Sequence, residues 1–335
     1  MPEPIRDRVR TRPKRIALGP WVGWLVGALG LGVAVAVVLG YGDLVRLVEV
    51  LQRIQLKWLA LAGSIQAVTY VCSAAIWRQV LKRWGRDMPF ATLLPLSLAQ
   101  LFVRQAVPSN GLSGSMLTAT GLLNRGVAQT EATACLMLSL VSYYAAYFIA
   151  ACAAFLIIAA HYGVHTRLEL LASCFVLVVV AVPSVVFLLR WMRRHDKIPA
   201  WGGRVALFRK PLDNLARFPM ELLKDWRLML ETTGLQLAIF AIDAWTLRIM
   251  LQAVGVQEPF GPAYCAFIMA SIVATLAPVP LGLGTFEGTC VAVLHRFGVP
   301  IEAALVATLL LRGFTFWLPM IPGFWLARRE LKRAA

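Results

Sequence analysis

The sequence predicts an all-α integral membrane protein with about six full spans and two re-entrant Pro/Gly hairpins, arranged as two inverted repeats. Three observations predict it. Mean hydropathy is +0.70, with 59% hydrophobic and only 15% charged residues, a composition that a soluble domain of 335 residues does not show. Apolar runs of spanning length alternate with short runs interrupted by Pro and Gly. Sliding the chain by 170 residues lays the punctuating residues of one half onto those of the other.

Residues 1–18 form a basic tail with Arg6, Arg8, Arg10, Arg12, Lys14 and Arg15, and residues 19–335 form a single transmembrane domain. The uncharged run 19–39 exceeds the apolar core of a signal peptide and reads as an uncleaved first span, its basic end in the cytoplasm. Repeat 1, residues 43–160, opens with an interfacial helix over 43–57, where Leu44, Leu47, Val48, Leu51 and Ile54 share one stripe. A span over 58–80 ends at Lys82, Arg83 and Arg86, a hairpin covers 89–123, and a long span covers 131–160. A linker span, residues 170–190, leads into the basic loop 190–231, with ten basic and five acidic residues. There Leu222, Leu223, Trp226, Met229 and Leu230 mark a second interfacial helix. Repeat 2, residues 213–328, holds a span over 232–254, a hairpin over 260–295 and a last span over 300–327, followed by Arg328, Arg329, Lys332 and Arg333.

The 170-residue shift gives ten identities over the 49 positions from Gln66 to Gly114, roughly twice what so apolar a composition yields by chance. Gln66 falls on Gln236, Arg78 on Arg248, Gly85 on Gly255, Pro89 on Pro259, Pro108 on Pro278 and Gly114 on Gly284. The first copy's leading span ends at a basic loop, whereas the second copy's ends at 256–258, with no basic residue. By the positive-inside rule the copies are inverted, one hairpin entering from the cytoplasm and the other from outside. Both termini and the basic loop are then cytoplasmic, in a bacterial inner membrane.

Charge location excludes one class of partner. The net charge of +16 resides in tails and loops, as that rule expects of a membrane protein, so nucleic acid is not a partner. The six cysteines are scattered through apolar segments and read as small core residues. His161 and His165 lack an acidic or cysteine companion, so no metal site is expected, and the absence of a Walker loop, a His-Glu-x-x-His and a Ser-centred elbow leaves no cofactor and no catalytic residue to assign.

The chemistry lies at the hairpin tips and in the few charges within spans. Pro108, Gly111 and Gly114 break the first hairpin, and Pro278, Pro280, Gly282 and Gly284 the second. Irregular backbone at that depth survives only where it is buried in protein or lines a wet cavity. Ser109, Asn110 and Ser113 begin a returning half-helix whose free amides suit an anion, although capping alone selects the same residues. Arg104 and Arg312 offer guanidinium forks to an anionic head group, or else pair with Asp243 or Glu287 to hold helices together. Asp243 and Glu287 are gating or proton-linked candidates; Glu287, three residues after Gly284, also suits a helix cap.

The arrangement Pro-x-Pro-x-Gly-x-Gly-x-x-Glu at 278–287, followed by Gly-Val-Pro at 298–300 and a long span, resembles the transmembrane region of lysylphosphatidylglycerol synthases, a flippase-like family. Ala-Val-Pro-Ser-Asn-Gly-Leu-Ser-Gly at 106–114 and Asn-Arg-Gly-Val at 124–127 resemble the family's first motif, above all in its hopanoid-transport branch. Leu281 stands where that family commonly has Gly. The chain ends at Ala335 without the soluble aminoacyltransferase domain of the bifunctional members, so the resemblance implies lipid handling and no synthase activity. The expected function is a flippase that moves an amphiphilic lipid with an anionic or polar head between leaflets by alternating access, and it is not an enzyme. The alternatives are a membrane-embedded transferase acting on a polyprenyl or glycolipid phosphate, and a scaffold that binds lipid-biosynthesis proteins.

Overall fold

A computed structural model describes Gln52 and residues 54–106, 112–162, 225–277 and 282–334. Among the described residues there is no strand, and the elements in chain order are α1 (Leu56–Lys82), α2 (Phe90–Ala106), α3 (Leu112–Leu123), α4 (Gln129–Tyr162), α5 (Trp226–Ala253), α6 (Phe260–Leu276), α7 (Thr285–Arg296), α8 (Ile301–Arg312), a π-helical segment (Gly313–Trp317) and α9 (Leu318–Ala334). Among the described residues, four stretches are long and apolar enough to cross a membrane: Leu56–Lys82, Gln129–Tyr162, Trp226–Ala253 and Ile301–Glu330. The protein is a multi-pass membrane protein, and these stretches are the spans expected at 58–80, 131–160, 232–254 and 300–327. The spans expected at 19–39 and 170–190, the stretch 43–51 and the basic loop as far as 224 lie outside the described residues.

The two halves repeat one order of helix lengths. A long helix (27 residues in α1, 28 in α5) is followed by one of 17 (α2, α6), one of 12 (α3, α7) and a second long stretch. The turns repeat as well. Gly85 and Gly255 adopt positive φ (71° and 88°) after α1 and α5, and Gly126 and Gly298 do so (76° and 96°) after α3 and α7. Each closes the same pair of hydrogen bonds: the Gly85 and Arg86 amides donate to Lys82 and Leu81 carbonyls, and those of Gly255 and Val256 to Gln252 and Leu251. Gly126 with Val127, and Gly298 with Val299, do likewise, so the positions need glycine because a left-handed residue ends the helix. Arg78 and Arg248, matched by the shift of 170, also act alike. Arg78 Nε donates to Asp87 Oδ1 at 2.9 Å and Arg248 Nε to the Glu258 carbonyl at 3.0 Å, so each pins the loop that leads into the next short helix.

Helices α1 and α5 pack antiparallel. Arg83, just past the end of α1, lies 3.3 Å from Asp225, the N-cap of α5, and the Gln55 amide at the start of α1 donates to the Ala253 carbonyl at the end of α5 at 3.2 Å. The ends of α1 and α3 and the starts of α4 and α5 therefore share one end of the molecule, which the Arg86–Glu131 pair at 2.7 Å also joins. At the opposite end Tyr162, closing α4, donates its hydroxyl to the Arg296 carbonyl, closing α7.

Two packing blocks follow from this arrangement. In one, buried Leu, Ile and Ala of α5, α6, α7 and α8 surround Ala146–Ala154 of α4; in the other, α1, α2 and the start of α4 enclose Trp77, Leu93 and Leu138. Helix α9 leaves α8's block and packs on the first hairpin instead, through Ala327 against Ala99 and Leu117. Gly323 makes this approach possible, since a Cβ there would stand 2.6 Å from the Phe102 Cβ and 2.9 Å from the Leu98 carbonyl.

Two boundaries differ from expectation. Trp226, Met229 and Leu230 belong to the first turns of α5 and not to a separate interfacial helix, because Asp225 Oδ1 accepts from the Leu228 amide at 3.2 Å and starts the helix there. Arg328, Arg329, Lys332 and Arg333, read from sequence as a basic tail after the last span, lie within the last turns of α9.

Candidate functional site

The second hairpin is built by its breakers. α6 ends as Ala277 turns extended (φ −72°, ψ 136°) and Pro278 and Pro280 supply no amide donors. The chain then doubles back so closely that a Cβ on Gly282 would lie 2.5 Å from the Cβ of Ala274, and Gly282 and Gly284 both take positive φ (62° and 83°). Glu287 caps the returning helix as expected: the Gly284 amide donates to its Oε2 at 2.7 Å.

The other carboxylate oxygen meets a cation. Arg312 Nε donates to Glu287 Oε1 at 2.7 Å, with the Glu287 side chain 1% and the Arg312 side chain 15% exposed. The guanidinium lies 4.5 Å from the Phe286 ring and 5.5 Å from the Phe316 ring, so it is held between an aromatic of α7 and one of the π segment. Cap and ion pair, which the sequence left as alternatives, are thus made by one residue with its two oxygens. A buried guanidinium and carboxylate in the membrane region are stable only with such mutual satisfaction. Arg312 stands directly before Gly313–Trp317, where the Leu318 amide donates to the Gly313 carbonyl five residues back. The π turn was not foreseen.

Asp243 accepts from an uncharged donor on α1. Gln66 Nε2 donates to Asp243 Oδ1 at 2.9 Å, and Thr246 Oγ1 donates to Gln66 Oε1 at 3.1 Å. These residues sit at the contact of α1 and α5, and Thr69 joins them by a 3.4 Å contact with Gln66 Nε2.

At the first hairpin, Arg104 occupies the last turn of α2, Ser113 the first turn of α3, and Gly114 is buried there, its carbonyl accepting from Thr118 Oγ1 at 3.0 Å. Pro108, Ser109, Asn110 and Gly111 lie outside the described residues. Sequence reasoning missed the other buried pair of this half. Arg125 Nη1 and Nη2 donate to Glu330 Oε2 and Oε1, both at 2.7 Å, joining the end of α3 to α9, and Nη1 also reaches the Gly121 carbonyl. The signal available was Arg125 within Asn-Arg-Gly-Val, where only the motif was noted.

The family model described as the lysylphosphatidylglycerol synthase TM region matches residues 23–323. The chain belongs to that family. Within the synthase TM region family, the match takes in both hairpins, Glu287, Arg312 and Arg125, and stops at Gly323, the residue where α9 meets α2. No curated protein matches the chain.

Proposed function

We propose that this member of the synthase TM region family moves an amphiphilic lipid with an anionic or polar head between the leaflets of a bacterial inner membrane. The observation that carries the reading is the Glu287–Arg312 pair, a buried carboxylate and guanidinium at the root of a Pro/Gly hairpin in a membrane protein. Glu287 Oε1 holds Arg312 Nε as a phosphate oxygen would, so an anionic head group competes for the same donor. Exchange of that partner leaves the cap on α7 in place, because Glu287 Oε2 keeps the Gly284 amide. This gives the hairpin two arrangements that differ by one bond, the kind of bistable element that lets a ligand bias a transport step.

The antiparallel packing of α1 on α5 and the repeated order of helix lengths support an inverted repeat, and the resemblance of residues 106–114 to the hopanoid-transport branch supports a lipid as the cargo. Arg104, in the last turn of α2 and four residues before Pro108, is the cation beside the first hairpin. The test is the movement of fluorescent phosphatidylglycerol between leaflets of vesicles holding the purified protein. Arg312→Ala and Arg104→Ala are expected to slow it at least tenfold and the Lys variants less, with folding retained. Unchanged movement in both Ala variants overturns the assignment.

A further inference from the structure

We infer that the last long helix, α8 through α9, couples the two hairpins, with Gly313–Trp317 as the joint between them and Arg125–Glu330 as the far tie. This rests on the transport reading for its purpose but not for its geometry.

Both returning arms are fastened to this helix by a buried ion pair. Arm α7 is fastened at its first turn, Glu287 to Arg312 on α8, and arm α3 at its end, Arg125 to Glu330 on α9. The second pair is two-pronged at 2.7 Å and its side chains are 13% and 5% exposed, so it is a fixed joint and not a surface contact. Each half of the helix also packs with the hairpin it is tied to: α8 lies in the block with α6 and α7, and α9 lies on α2 and α3, where Phe324 meets Phe102 edge-on at 5.6 Å.

The π segment falls between the two blocks. Its extra residue sets the rotation of α9 about α8, since one residue added to or removed from an α-helix turns everything beyond it by about 100°. The matching long helix of the first half, α4, runs unbroken from Gln129 to Tyr162, so the joint belongs to one half only. Within the joint, Phe316 touches the Arg312 guanidinium and Phe314 lies against Gly63 of α1, which places it in contact with both the ion pair and the first long helix. A displacement of one hairpin therefore reaches the other through a single backbone, and the two cannot move independently.

The experiment is hydrogen–deuterium exchange of the full chain in lipid nanodiscs, read at 282–290, at 313–318 and, as a control, at 235–250 in α5. Glu330→Gln is expected to speed exchange at 282–290 and 313–318 at least threefold while leaving 235–250 unchanged, and Arg125→Lys to do so less. Deletion of Thr315, which converts the joint to regular α-helix, is expected to prevent both ties from forming together, so exchange rises at 112–123 or at 285–290. If Glu330→Gln leaves 282–290 unchanged, or speeds 235–250 equally, or if the deletion alters neither hairpin, the coupling is wrong. Lipid movement is measured separately in vesicles, so a wild type that moves no lipid removes the transport reading and leaves the exchange result to be judged alone.

Discussion

Gln66 on α1 donates its amide to Asp243 on α5 at 2.9 Å, and its carbonyl oxygen accepts from Thr246 on the same partner helix at 3.1 Å. The two helices that the shift of 170 lays on each other are thus joined by a polar bridge to which they contribute different residues, for Gln236 is Gln66's match and Asp243 is matched by Ser73.

Gln66→Leu removes a donor from a partly buried carboxylate and is expected to cost about 2 kcal/mol, while Gln66→Leu with Asp243→Leu costs about 1 kcal/mol less than that. Denaturant unfolding in detergent measures both. Equal or greater loss in the double variant contradicts a stabilising bridge.

Glu287→Gln has a larger effect than a cap alone allows. A capping residue contributes roughly 1 kcal/mol. Here both oxygens accept, and the glutamine amide would point one NH₂ at a donor, either the Gly284 N–H or Arg312 Nε. The expected loss is about 3 kcal/mol, as for a buried pair stripped of one charge. Adding Arg312→Gln should recover part of it, and thermal unfolding of the single and double variants decides.

Two glycines of the second hairpin should respond oppositely to the same change. Gly282→Ala places a Cβ 2.5 Å from Ala274 at a φ of 62°, and is expected to destabilise by at least about 2 kcal/mol. Gly288, three residues into α7, has nothing within 4 Å of such a Cβ, so Gly288→Ala should be neutral or stabilising by up to about 1 kcal/mol. A comparable melting-temperature drop in both would show that the tip is not tightly closed.

Cysteines placed at Asp87 and at Gln257, in the turns after α1 and α5, should label from opposite sides of the membrane, Asp87 from the cytoplasm. The basic residues Lys82, Arg83, Arg86, Arg227, Arg328 and Arg329 gather at the Asp87 end, as cytoplasmic segments do. Labelling of both by an impermeant reagent from one side of intact cells would exclude the inverted arrangement.

The hairpins and four spans were legible because Pro and Gly have backbone consequences that no neighbour alters. Gly85 and Gly255 matched under a shift of 170 for a reason visible in the turns they close. Gly126 and Gly298, the same turn two elements later, are 172 apart and so fall out of register with an ungapped shift of 170. The start of α5 was misjudged because the apolar face from Leu222 onward outweighed the local cap Asp225. Arg125–Glu330 spans 205 positions and Gln66–Asp243 spans 177, distances at which partner choice depends on tertiary packing alone. The π turn carries no sequence signature, since Gly313 and its aromatic neighbours occur equally in ordinary spans.

The returning arms are short in a way that concerns the lipid as much as the protein. Twelve residues in α3 and in α7 rise about 18 Å, whereas the hydrocarbon layer is about 30 Å thick. Where these arms border lipid, that height is expected to be met by thinning and tilting of the adjoining acyl chains. Lipid movement by the protein is then expected to vary with acyl length and membrane thickness, independent of any head group.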